Sequence, residues 1–222
     1  MNTDRNKPKL YLFLVMISTL LVVSVGGYYI VMGYLNQSSV KTVSSISSNE
    51  YYLLRSNATD YQKEIYKELT TALEQKPQDE KQVAQLIAKN YVADFYTWTN
   101  KINTQDVGGV QFLHNEIRKS VRDQALETFY NDMNYYLEKG LISSSLEVTD
   151  STASVTKGKY QVDKDTEAEA FVVDIKWNYK ESPSLNISKY QKEAQVYVVK
   201  DEQGIYSIVE VRYEKNSQNT QA

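Results

Sequence analysis

Hydrophobic and polar positions follow three different rhythms along this chain, and each predicts a different kind of element. From Leu10 to Val40 there is no rhythm at all: 31 residues pass without a charge. The apolar centre of that run, Leu10 to Leu35, is 26 residues long, and as a helix rising about 1.5 Å per residue it reaches roughly 39 Å. A bilayer's hydrocarbon core is about 30 Å thick, so the run predicts a transmembrane helix with room to tilt. The competing reading, a cleaved secretory signal, calls for an apolar stretch of roughly 7–15 residues closed by a small-residue site. Ser24-Val25-Gly26-Gly27 is a poor match to it. Arg5, Lys7 and Lys9 precede the run and no charge follows until Lys41, so residues 1–9 are expected in the cytoplasm and the rest outside. Gly26, Gly27 and Gly33 are small enough to let a second helix approach, or are simply tolerated in a lipid-facing span.

The second rhythm is helical. Residues 36–55 read as a Ser-rich spacer, six serines falling between Asn36 and Glu50. Apolar positions then recur with a period of 3.6. Tyr61, Ile65, Tyr66, Leu69 and Leu73 predict a helix over Asp60–Gln75, opened by Thr59-x-x-Gln62 in capping-box form and closed by Pro77. Val83, Leu86, Ile87, Tyr91, Val92, Phe95 and Trp98 predict a second, from behind Asp79 to about Lys101. Ile117, Val121, Leu126, Phe129, Met133 and Leu137 predict a third over Asn115–Lys139, capped by Gly140. Between the last two lies the segment from Asn103 to Gly109, with its paired glycines, which reads as a connector or a binding loop.

Beyond Gly140 the period falls to 2. Phe171, Val173, Ile175, Trp177 and Tyr179 alternate with wetter positions and predict the clearest strand. Gln195–Lys200 and Ile205–Tyr213 predict an antiparallel hairpin turned at Asp201-Glu202-Gln203-Gly204, with Gly204 where a left-handed residue is needed. Leu146 to Val162 is weaker, and one long bent strand or two short ones broken at Asp150-Ser151 fit it equally. About three helices followed by about four strands make the fold class α+β, with helices covering one face of a curved antiparallel sheet. The expected organisation is a tail (1–9), a membrane helix (10–35), a spacer (36–55), one extracytoplasmic domain (56–215) and a polar tail (216–222).

Composition narrows the chemistry. The net charge is −3, and since Asp4, Arg5, Lys7 and Lys9 leave the tail at +2, the remainder carries −5. Direct nucleic-acid binding by the exported part is therefore not expected. There is no cysteine and one histidine, His114, so neither a zinc nor a haem ligand set can be assembled in the usual way, and no cofactor is expected. His114 reads as a surface or capping residue. Neither a G-x-S-x-G elbow, a Walker loop nor a G-x-G-x-x-G turn occurs. Asp94 and Asp174 are the carboxylates an acid–base enzyme would use, but their sequence context reads as solvated neighbours of core positions. Asn57-Ala58-Thr59 and Asn186-Ile187-Ser188 have the form of glycosylation acceptors, a pattern short enough to arise by chance. Heavy use of Lys, Asn, Ser and Tyr fits an AT-rich bacterial genome.

Three helices, then about four antiparallel strands, behind one N-terminal span, resemble the cone-shaped fold of nuclear transport factor 2. Among anchored versions the chain is similar to the inner-membrane scaffold family of type IV secretion and conjugation machines. Two stretches carry this. Tyr91-Val92-Ala93-Asp94-Phe95-Tyr96-Thr97-Trp98 is similar to a Tyr-Val and aromatic-rich segment on an early helix of that family. Gly204-Ile205-Tyr206-Ser207-Ile208-Val209-Glu210-Val211-Arg212-Tyr213 is similar to its final strand, although of the family's Asn-Pro-x-Gly turn only Gly204 is kept. The departure points to distant, Gram-positive members. The resemblance implies a non-catalytic scaffold that self-associates and binds other subunits of a transfer channel, with Tyr91, Phe95, Tyr96, Trp98, Trp177, Gly204, Tyr206 and Arg212 as interaction or structural residues. Tyr51, Tyr52, Tyr130, Tyr135 and Tyr136 add amphipathic surface to that expectation. The alternatives are a ligand-binding or sensory domain with Trp98 and Trp177 lining a pocket, or a cell-envelope accessory protein of the same fold.

Overall fold

The change of period after Gly140 divides the domain into a helical layer and a sheet. The computed structural model describes residues 47–162, 164–183 and 185–213. The apolar run 10–35, the spacer as far as residue 46 and the tail 216–222 lie outside them. Among the described residues no helix is long and apolar enough to cross a membrane.

Two short strands, β1 (Ser47–Ser48) and β2 (Leu53–Leu54), pair antiparallel ahead of the first helix. Helix α1 (Asp60–Glu74) starts with the predicted capping box, Thr59 and Gln62 exchanging side-chain and backbone bonds. Helix α2 (Glu80–Phe95) is capped by Asp79 and is the most buried element of the helical layer. It lies across the sheet, with α1 packed against it. It stops six residues short of the predicted Lys101. The apolar period runs on to Trp98, but the amides of Trp98 and Thr99 both turn to the carbonyl of Leu146, at 2.8 and 3.2 Å, so the chain has left the helix while Trp98 stays inside.

The predicted third helix is two, which makes four helices among the described residues. Helix α3 (Asn115–Glu127) and helix α4 (Phe129–Glu138) meet at Thr128, whose φ of −121° and ψ of −97° are not helical. Its hydroxyl donates to the carbonyl of Gln124 at 2.8 Å, the local competition that makes threonine a poor helix residue. The break directs Tyr130 and Met133 into the core. At the far end Gly140 adopts φ 68°, as its capping role requires.

The sheet is an antiparallel meander in the order β3 (Val148–Gln161), β4 (Glu167–Tyr179), β5 (Glu193–Lys200), β6 (Tyr206–Arg212). The ambiguous Leu146–Val162 stretch resolves as one long strand, with a register shift between Val148 and Asp150 in place of a hairpin. Strand β4 begins four residues before the predicted Phe171: Glu167 and Glu169 are exposed and alternate with the small Ala168 and Ala170, a period that carries no large apolar side chain to mark it in the sequence. The β5–β6 turn has Gly204 at φ 84°, with the Asp201 carboxylate accepting the amides of Gln203 and Ile205.

Phe171, Val173, Ile175, Trp177 and Tyr179 face the helices with Val196, Val198, Tyr206 and Ile208, and meet Val83, Leu86, Ile87, Tyr91 and Val92 of α2 in a single core. Thr152, Ser154 and Thr156 point to the opposite, wet face. Trp177→Ala should therefore cost about 3–5 kcal/mol of stability. Thr156→Ala on the wet face should stay within about 0.5 kcal/mol. Urea unfolding of the solubilised chain measures both.

Candidate functional site

Charge is expensive inside an apolar core, so the place where this domain buries charge marks its most specialised chemistry. Asp94 occupies the last turn of α2. Its Oδ1 accepts the Lys101 ammonium at 3.0 Å and is paired with Arg55 Nε at 2.9 Å, while its Oδ2 accepts the Gly109 amide at 2.7 Å. The Lys101 side chain is wholly buried and donates also to the Asp94 carbonyl at 2.9 Å and to Asn100 Oδ1 at 3.0 Å. Arg55 turns the fork of its guanidinium on Asp106, with bonds of 3.1 and 2.9 Å, and reaches the carbonyl of Asn100. Two cations thus meet two anions, with backbone groups filling the remaining directions.

Glycine makes the loop's approach possible. A Cβ on Gly108 would fall 2.2 Å from the Asp94 carbonyl oxygen, and Gly109 sits at φ 73°. The Gly108 amide meanwhile donates to the Tyr130 hydroxyl, which donates to the carbonyl of Phe95. The Asn103–Gly109 segment is therefore a connector locked onto the end of α2.

Burial would raise the Asp94 carboxyl, but Lys101, Arg55 and the Gly109 amide outweigh it and hold the group below its ordinary range. Asp106 is also lowered, burial again being outweighed by Arg55. Lys101 is lowered as well, because burial removes more from its ammonium than Asp94 returns. Asp94 is thus no solvated neighbour of the core, as its sequence context had suggested. It is a largely buried carboxylate with both oxygens engaged, suited to holding chain segments together and not to exchanging protons with a substrate. Asp174 does sit in solvent, bonded to Gln195 at 2.8 Å. Among the described residues no three His, Asp or Glu side chains converge as metal ligands would.

The cluster fastens an N-terminal strap. Ordered packing starts before residue 56, within the stretch read as spacer. The Asn49 side chain meets Thr70 of α1, and Tyr66 of α1 donates to the carbonyl of Tyr52. The Tyr52 ring stacks on Phe112 at 5.1 Å, and its hydroxyl reaches the Tyr206 carbonyl at 2.6 Å. Leu53 exchanges two bonds of 2.8 Å with the Gln111 side chain, and Asn57 donates to the Asn100 carbonyl. None of Arg55, Lys101 and Asp106 stands out as a site residue from sequence, and Tyr52 and Tyr130, read there as amphipathic surface, are buried.

The residues singled out from sequence fall in three places. Tyr91, Phe95, Tyr96, Trp98 and Trp177 are buried in one aromatic cluster, with Tyr96 4.5 Å from Trp177 and Phe129 4.8 Å from Trp98. Tyr206 is buried too, with its hydroxyl on Gln78, and Gly204 forms its turn. Arg212 alone lies on the wet face, gripping Glu210 and covering the Tyr197 ring at 4.3 Å. It borders a shallow depression of about 530 Å³ with Asp174, Lys176, Glu193 and Gln195. His114 lies at the start of α3, its side chain making no cap bond. Compared with models of known families, with curated proteins and with solved structures, the chain matches none.

Asp94→Asn leaves Lys101 buried without its counter-charge and should cost about 3–5 kcal/mol, with hydrogen exchange accelerating first at residues 52–57 and 100–109. Gly108→Ala should disturb the same amides. The carboxylates' contribution is full above their unfolded values near about 4 and disappears as pH falls through the lower folded values. The wild-type strap should accordingly loosen on acidification below about pH 4, while Asp94→Asn shows a smaller acid dependence by the same exchange measurement.

Proposed function

We propose that this chain is a non-catalytic, membrane-anchored assembly subunit of a conjugative, type IV secretion-like transfer channel. In this reading Leu10–Leu35 spans the membrane, residues 1–9 are cytoplasmic, and the α+β domain is a nuclear transport factor 2-like cone outside the cell. The observation that carries the reading is the fastening of the N-terminal segment across α1, β6 and the 100–112 loop by Tyr52, Leu53, Arg55 and Asn57. A domain held at its N-terminus by a membrane tether needs that entry point braced, and the molecule's buried charge is spent there. Helices first and a four-stranded antiparallel meander second support the resemblance to the scaffold family.

A small-molecule sensor would need room between Trp98 and Trp177. Tyr96, Phe129 and Tyr190 crowd those indoles, with ring centres 4.5–5.3 Å apart, which favours a domain that works through its exterior. The test is mass spectrometry of what copurifies with the tagged full-length chain after gentle detergent extraction from its native membrane. Recovery of transfer ATPases and multi-span channel proteins is the expected outcome. Cell-wall enzymes or a signalling kinase in their place would overturn the transfer role.

A further inference from the structure

The two edges of the sheet are treated differently. On β6 the chain covers its own edge at Tyr206 and Ile208: the His114 amide donates to the carbonyl of Ile208 at 2.8 Å, Leu113 and Ile208 form a parallel bridge, and the Tyr52 hydroxyl donates to the carbonyl of Tyr206. On β3 only the first half is covered. Tyr61 meets Ser151 at 2.6 Å and the Gln85 amide donates to the Ala153 carbonyl at 2.6 Å.

Which backbone groups of β3 point outward follows from the hairpin. The Val162 amide bonds the carbonyl of Thr166, and the β3–β4 register is unbroken from Asp150↔Asn178 to Gln161↔Glu167. Even-numbered residues therefore bond to β4, and odd-numbered ones direct both N–H and C=O away from it. The Gln85–Ala153 bond obeys the same parity. The outward groups of Val155, Lys157 and Lys159 consequently have no partner among the described residues, a row of donors and acceptors of the kind that recruits another strand.

We infer that this open edge pairs with the same edge of a second copy, β3 against β3 about a two-fold axis at Thr156. The inference rests on the self-association within the proposed function and names its surface. Register selects the axis. Centred on Lys157 or Lys159, that lysine would oppose its own copy, and centred on Gly158, Lys157 would oppose Lys159. Centred on Ser154 or Val155, the ladder would need the Ala153 groups that Gln85 already covers. Centred on Tyr160, the partner runs off the strand into the turn and leaves Val155 and Lys157 unpaired. The axis at Thr156 sets Val155 opposite Lys157 twice, making four backbone bonds with no like charges opposed and Thr156 facing its own copy.

A chain without cysteine makes the test direct. Thr156→Cys in the full-length protein, oxidised in native membranes, should give a disulfide dimer, since facing Cβ atoms in such a pair lie about 4.5–5.5 Å apart. Thr152→Cys and Tyr160→Cys should not, each being offset from its own copy by eight residues, roughly 27 Å. Adding Lys157→Pro to Thr156→Cys removes an outward N–H, leaves the bonds to β4 in place, and should abolish the crosslink. The particle mass of the gently solubilised chain separates the failures. Oligomers without the Thr156 disulfide, or a disulfide formed equally well at Thr152 or Tyr160, overturn the edge and leave self-association standing. Monomers without it overturn both.

Discussion

Three separate stretches of chain converge on the Asp94 carboxylate, and the arrangement of the helical layer follows from that convergence. The last turn of any helix leaves carbonyls without intrahelical partners. Here Lys101 curls back to take one of them, at Asp94 itself, and places its charge at the negative end of the α2 dipole. That return sets the course of residues 96–101. Gly109 on the other carboxylate oxygen sets the course of the loop that follows, and Tyr130, bonded to both Gly108 and the carbonyl of Phe95, positions α4. Arg55 brings in the N-terminal strap last, through Asp106 and Asp94 together.

Such a cluster is weak evidence for net stability, because desolvating four charges offsets much of what their attraction supplies. Its value lies in specificity. An apolar cluster at the same place would tolerate many packings of the strap and loop, whereas each of these charged groups is compensated in one geometry only. The tyrosines follow similar logic. Surface contact is the obvious reading of nineteen tyrosines, and Tyr51 and Tyr135 are indeed exposed. Yet Tyr52, Tyr66, Tyr130 and Tyr206 are buried, each with its hydroxyl on a backbone or side-chain acceptor in another part of the chain. In a domain without disulfides, phenols act as struts between elements.

Local rules made part of this legible in advance. The capping box at Thr59, the alternation from Phe171 to Tyr179 and the turn at Gly204 each depend on residues within a few positions of one another, and sequence resolved them. The end of α2 did not follow, because an apolar period records burial and Trp98 remains buried after the helix has ended. The break at Thr128 was hidden for the opposite reason: α3 and α4 each continue a helical period, and only the direction of the axis changes. Asp94 offered one clue, a carboxylate in a broad apolar stripe, but its partners lie 39 residues before and 7 and 15 after it. Pairings of that kind leave no periodic trace.

What remains available to a partner is set by what the domain has already used. On the wet face of the sheet Lys176 bonds Glu193 at 2.7 Å, Asp174 bonds Gln195, and Arg212 bonds Glu210 and the Tyr197 hydroxyl. A partner docking there would have to break these pairs before making its own, and exposed pairs exchanged for similar ones return little. The outer edge of β3 beyond Ala153 differs, because main-chain groups there exchange only water for a new strand. Its charges also act differently from those inside. Lys157 and Lys159 do not close the edge; they disfavour registers that bring lysines together, and so convert a generic pairing surface into a selective one.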